Sequence, residues 1–257
     1  MSRWLPISML FTALLARADD LANKLASVGV MEFTAAYQAW DGQRFAAAAE
    51  LFRQATTNAP GSVTNFYWLG AAHFHRVLHL QTLPPERTNQ LAAGAAMDAA
   101  LTALKTAVTL DAQNAEAHAL LGTIYGMKID GNLLRAVRFG PRVQTHRTKA
   151  LEFGPGNPRV RYLLGTCQFH TAKKPAAQRE ALASFLAAEK LFAAEAQHAR
   201  GPLEPRWGYS TCLTFIGRTY ELLGERTPAE DYFRKALAQH PADHLAREGL
   251  ARVTETK

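Results

Sequence analysis

One stretch near the C-terminus constrains the fold more than any other. Ile216-Gly217, Tyr220, Gly224, Ala229, Phe233, Ala236 and Pro241 fall at intervals that place them on two consecutive helices joined by a tight turn. Each residue has a physical reason. Glycine and alanine stand where two helices touch, since larger side chains there would hold the backbones apart. Tyr220 and Phe233 fill the space around those contacts. Gly224 permits the turn, and Pro241 stops the second helix because it cannot continue the backbone ladder. One such hairpin cannot bury its apolar face alone, so further copies are expected upstream.

Weaker copies are present. Leu164-Gly165 is followed by Ala181, Phe185 and Ala188, and Leu121-Gly122-Thr123-Ile124-Tyr125 by Lys149-Ala150-Leu151 and Pro155. Leu69-Gly70 is followed by Ala100, Leu104 and Ala107, while Phe45, Ala48, Phe52, Ala55 and Pro60 keep the second half of a first copy whose first helix is irregular. The pattern resembles that of the tetratricopeptide-repeat (TPR) family. The resemblance implies an all-α fold: an α-solenoid of about five helical hairpins with a C-terminal end helix over Asp243 to Val253. The abundance of alanine and leucine agrees with a helical chain. Extra residues lie between Gly70 and Ala100, between Tyr125 and Ala150, and between Ala188 and Trp207. Insertions of this kind tend to project from one face and to serve binding.

The resemblance also implies a site. In TPR proteins the first helices of successive repeats line a concave face. Carried over position by position, that face holds Tyr67, Phe74 and His75 in the second repeat, and Ala119, Thr123 and Gly126 in the third. The fourth gives Tyr162, Thr166, Phe169 and His170, and the fifth Arg218. Tyr67/Phe74/His75 and Tyr162/Phe169/His170 are the same residues at the same offsets. They describe two aromatic–histidine walls roughly 20 Å apart, enough for an extended peptide of about six residues. The alternative is that the aromatics pack against neighbouring helices. The two-carboxylate clamp known in this family needs lysine, asparagine and arginine at these positions, and the sequence does not supply it.

Charge is uneven. Eleven basic residues and three acids lie between Lys128 and Glu180, in a chain of formal net charge +7. Arg135, Arg138, Arg142, Arg147, Arg159 and Arg161 are expected to form a basic patch for an acidic protein or for anionic headgroups; the ordinary alternative is a solvated helix face. No nucleic-acid motif occurs. Nor is there a P-loop, a dinucleotide fingerprint or a G-x-S-x-G elbow. His75 and His79 are spaced for one helix face but lack the glutamate of a zinc motif. The expectation is a binding module without cofactor, metal or catalytic residues. The rival reading is a solute- or lipid-binding accessory protein of a transporter, resting on the small residues Ala119, Thr123 and Gly126.

The N-terminus reads as a leader. Arg3 precedes an apolar run, Trp4 to Leu15, and Ala16-Arg17-Ala18 precedes Asp19-Asp20. The run is shorter than the roughly 20 residues a membrane helix needs, and a small-x-small triplet before acids fits a cleavage site. The expectation is a signal peptide over 1–18, a solenoid over 19–257, export to a bacterial periplasm or beyond, and no transmembrane segment after cleavage. A buried N-terminal helix is the alternative. Cys167 and Cys212 fall on adjacent first helices at heights differing by about 10 Å, whereas a disulfide tolerates a Cα separation of about 4.4–6.8 Å. Two buried, unpaired thiols are therefore expected.

Overall fold

The computed structural model describes residues 7–199 and 201–255, with side chains from 17 onward. The first six residues of the expected leader and Arg200 lie outside this range. The described residues form eleven helices: α1 (Ile7–Ala39), α2 (Gly42–Asn58), α3 (Val63–Thr82), α4 (Arg87–Leu110), α5 (Ala115–Ile129), α6 (Leu133–Phe153), α7 (Pro158–Thr171), α8 (Pro175–Glu195), α9 (Tyr209–Leu222), α10 (Arg226–Gln239) and α11 (His244–Thr254). The sequence left the first copy without a regular first helix. In the structure α1 supplies it as one uninterrupted helix, which also runs through the expected cleavage point after Ala18.

Polar residues set the helix starts. Asp41, Ser62, Asn114, Asn132, Asn157 and Asp243 each accept a backbone N–H from the first turn of the following helix. Such caps are each worth about 1 kcal/mol. Pro158 and Pro175 open α7 and α8, where a missing N–H costs nothing. Gly224 closes the α9–α10 turn at φ +77°, a region side chains rarely adopt.

The chain divides into two compact units, residues 1–36 with 41–110, and residues 37–40 with 111–257. In the first, a large side chain on each second helix meets a glycine on its first helix. A Cβ added to Gly29 would lie 2.8 Å from the Phe52 ring, and one added to Gly70 would lie 2.4 Å from Leu104. Phe52 stacks in turn on Trp68 of α3, with centroids 5.6 Å apart. By length and composition α4 could cross a membrane. Its buried stripe, Ala96, Ala100, Leu101, Ala103, Leu104 and Ala107, packs on α3.

The second unit holds the hairpins α5/α6, α7/α8 and α9/α10, and then α11. Gly165 meets Phe185, and Gly217 meets Phe233, at 2.6 and 2.8 Å from a would-be Cβ. Phe233 is held from a second side by Gly249 of α11, at 2.3 Å. The ring is thus held between two glycines, and the end helix is keyed to the last repeat by the same kind of contact that closes the hairpins. The α5/α6 hairpin departs from the rule. Gly122 faces the α6 backbone itself, near Val143 O and Arg147 N at 3.6 Å, so no aromatic ring enters the contact at this glycine. Residues 37–40, the end of α1, belong to this unit: the Tyr37 hydroxyl hydrogen-bonds to Thr211, and the Gln38 carbonyl lies 2.6 Å from His240 Nε2.

Candidate functional site

In the first unit the expected wall is core. Tyr67, Phe74 and His75 are 3–4% exposed. The His75 ring is boxed by Phe33 at 5.0 Å, Phe45 at 5.7 Å and Phe74 at 5.2 Å. Its Nδ1–H donates to the Ala71 carbonyl at 2.9 Å. Burial pushes its pKa down to about 4, so the ring is neutral. These three residues present no surface to a peptide. Phe33 of α1 contributes by lying edge-on to His75.

In the second unit the corresponding wall is divided. Tyr162 and Thr166 are buried. Tyr162 packs among Phe185, Phe192, Phe215 and Trp207, with centroids 6.2–6.5 Å apart. Trp207 comes from the insertion after α8, which folds back over the position a groove would leave open. The Thr166 hydroxyl is spent on the Leu163 carbonyl. Phe169 is half-buried and His170 exposed. Both present an edge contact to Phe215, at 5.1 and 5.9 Å. Arg218 of α9 lies over the Phe169 and Phe215 rings at 5.1 and 5.3 Å.

The result is a cation set among aromatic edges and faces at the ends of α7 and α9. Of the carboxylates that act on Arg218, namely Glu221, Glu248 and Asp243, two are engaged elsewhere. Glu221 accepts two bonds from Arg252 at 2.6 and 2.9 Å. Asp243 caps α11 and accepts from the Thr214 hydroxyl at 2.7 Å. Burial and the charge of Arg252 lower the pKa of Arg218, and burial and the charge of Arg218 lower that of His170. Both groups would gain from an arriving negative charge.

The small-residue trough also takes a different form. Ala119, Gly122 and Thr123 of α5 line a small cleft with Val143, Arg147 and Ala150 of α6 and with Val160, Leu163 and Cys167 of α7. Gly126 is outside this lining. The Thr123 hydroxyl donates to Ala119 O at 3.0 Å and lies 3.8 Å from Cys167 Sγ. Both cysteines are free thiols; Cys212 donates to the Phe185 carbonyl, and burial raises the pKa of each. Among the described residues no group of three or more His, Cys, Asp or Glu side chains is placed to hold a metal ion.

The basic patch needs a correction. Arg159 is 2% exposed. Its Nε donates to Glu116 at 2.7 Å, and its two terminal nitrogens donate to Glu195 at 3.0 and 2.5 Å. Asn157 adds a bond to Glu116 at 2.8 Å. A guanidinium neutralised by two carboxylates is a strut between α5, α7 and α8, unavailable to a partner. Arg161 is half-buried and donates to the Pro155 carbonyl. The exposed members are Arg135, Arg138, Arg142 and Arg147, all on α6.

Consecutive hairpins whose two helices meet at a glycine, with an end helix keyed in the same way, define a TPR-type α-solenoid, a class whose members offer extended binding surfaces. The chain belongs to the family described as Regulator of microtubule dynamics protein 1-3, which it matches over residues 33–255. Among curated proteins none matches it. Among solved structures it is similar to the thermophilic TPR protein TTC0263 of Thermus thermophilus, with TM-score 0.62, 18% identity, and coverage of 90% of this chain and 98% of that one. It is also similar to a chain of the APC/C hetero-tetramer Cut9–Hcn1, with TM-score 0.59 and 16% identity, covering 95% of this chain but only 40% of that one. At these identities the likeness concerns the fold.

Proposed function

We propose that the protein is a non-catalytic interaction module that holds an acidic protein segment or extended peptide at the ends of α7 and α9. The observation that carries this reading is Arg218, a half-desolvated cation over Phe169 and Phe215 beside exposed His170. A carboxylate placed there gains a charge-assisted hydrogen bond in a partly dry setting, and the aromatic edges contribute apolar contact. A family named for regulators agrees with action by binding.

The double variant His170→Ala/Arg218→Ala tests it. Wild type immobilised as bait captures one or more proteins from a lysate of its source. The double variant is expected to lose them while its thermal midpoint stays within a few degrees, because neither side chain lies in the core. Equal capture by both chains would overturn the assignment of this site.

Export belongs to the same proposal and rests on Arg3, the apolar run to Leu15 and the Ala16-x-Ala18 triplet. The protein recovered from the periplasm or medium is expected to begin at Asp19 by mass. A cytosolic pool that keeps Met1 would count against export.

A further inference from the structure

Large aliphatic side chains seldom cluster at high exposure without a use. Three do so at the start of α6: Leu133, Leu134 and Val137 are 79%, 82% and 73% exposed. Leu133, Val137 and Pro141 recur four residues apart, and with Leu134 they form one outward strip. Phe139 points the other way. It is buried and stacks on Tyr125 of α5 at 6.0 Å, so this end of α6 is fastened on its inner face and bare on its outer one.

Arg135, Arg138 and Arg142 run along one flank of the strip at helical spacing. The guanidiniums of Arg138 and Arg142 rest 5.2 Å from the Phe139 ring centre and 5.5 Å from that of Tyr125. None of the three pairs with a carboxylate among the described residues, and no Asp or Glu occurs between Leu133 and Leu151. Lys173 and Lys174, in the turn of the next hairpin, are also exposed.

We propose that the N-terminal half of α6 docks on the surface of an anionic lipid bilayer. Leu133, Leu134 and Val137 enter the acyl boundary, and Arg135, Arg138 and Arg142 hold headgroup phosphates. A purely acidic segment would satisfy the arginines and leave the leucines in water. A bilayer interface satisfies both, because it sets an apolar layer directly beneath an anionic one. Arginine stems can lie along the apolar strip while their heads remain at phosphate level. This surface is separate from the α7–α9 site and does not depend on it.

The test is co-sedimentation of the full-length protein with phosphatidylcholine vesicles, with and without phosphatidylglycerol. Wild type is expected to bind the anionic vesicles and to be released by salt. Arg135→Gln/Arg138→Gln/Arg142→Gln is expected to weaken binding by about a hundredfold, at about fivefold per basic residue. Leu133→Ser/Leu134→Ser keeps the charge and is expected to weaken binding at least about tenfold. Circular dichroism and thermal midpoints of both variants should match wild type, since the replaced side chains lie outside the core. The apolar N-terminal run is present in every chain, so only the differences between chains report on α6. Equal binding by wild type and both variants overturns the proposal. So does failure of wild type to bind anionic vesicles, including the case in which it binds soluble polyglutamate instead.

Discussion

Replacing Arg159 with methionine is expected to destabilise the second unit by about 3–5 kcal/mol, the usual consequence of stranding buried charge. The variant leaves Glu116 and Glu195, with side chains 12% and 16% exposed, facing each other's charge with no cation between them. The intact network is a different quantity. Its Coulomb gain is set against the desolvation of three charges, so its net worth is far smaller than the cost of breaking it. Arg159→Met/Glu116→Gln/Glu195→Gln should therefore recover more than half of the loss, since the neutral amides keep hydrogen-bonding capacity without repulsion. Because the two units need not unfold together, the measurement is hydrogen exchange in peptides from α5, α7 and α8. If the triple variant is no more protected than Arg159→Met, the charge account is wrong and the lost contact of the guanidinium with the Phe192 ring, 5.8 Å from its centre, explains the loss.

The second large effect is a dependence on acid. His75 has a folded-state pKa of about 4 because of burial, against about 6.5 when unfolded. Between those values the unfolded chain binds a proton that the folded chain refuses. Stability is thus fully present above pH 6.5 and is lost as pH falls towards 4, by up to about 3 kcal/mol. His73, also lowered to about 4 by burial and then by Arg76, acts in the same direction and more weakly, because it is less buried. His75→Phe places an untitratable ring among Phe33, Phe45 and Phe74, and it should flatten the pH dependence of exchange protection in α2 and α3 after correction for intrinsic amide rates. Equal slopes in wild type and His75→Phe between pH 7 and 4.5 would remove His75 as the source.

Much of this was legible in the sequence, for a reason that can be stated. The contacts that make a hairpin are short in range and fixed in spacing. Gly217 with Phe233 and Gly165 with Phe185 meet because helix geometry carries them there, so glycine, alanine and proline at set intervals were enough to read the α-solenoid, its repeats and its end helix. The first helix of the first repeat escaped, because the pattern sought a unit of standard length and α1 runs well beyond one.

The tertiary structure alone decided what the repeats leave exposed. The positions of Tyr67, Phe74, His75, Tyr162 and Thr166 would line a groove in a regular array. Here they are buried, and two of the residues against them are tied to them by no periodicity: Phe33, from an overlong helix, lies on His75, and Trp207, from an insertion that folds back, lies on Tyr162. Arg159 sat within a basic run, and only folding brought it Glu116 and Glu195, each more than thirty residues away. Leu133, Leu134 and Val137 have the composition of any core helix, yet their hairpin turns them outward. A sequence fixes which residues neighbours along a helix will meet, through local geometry. Which faces remain open is settled by whatever distant segment arrives to cover them, and only the packed chain records that.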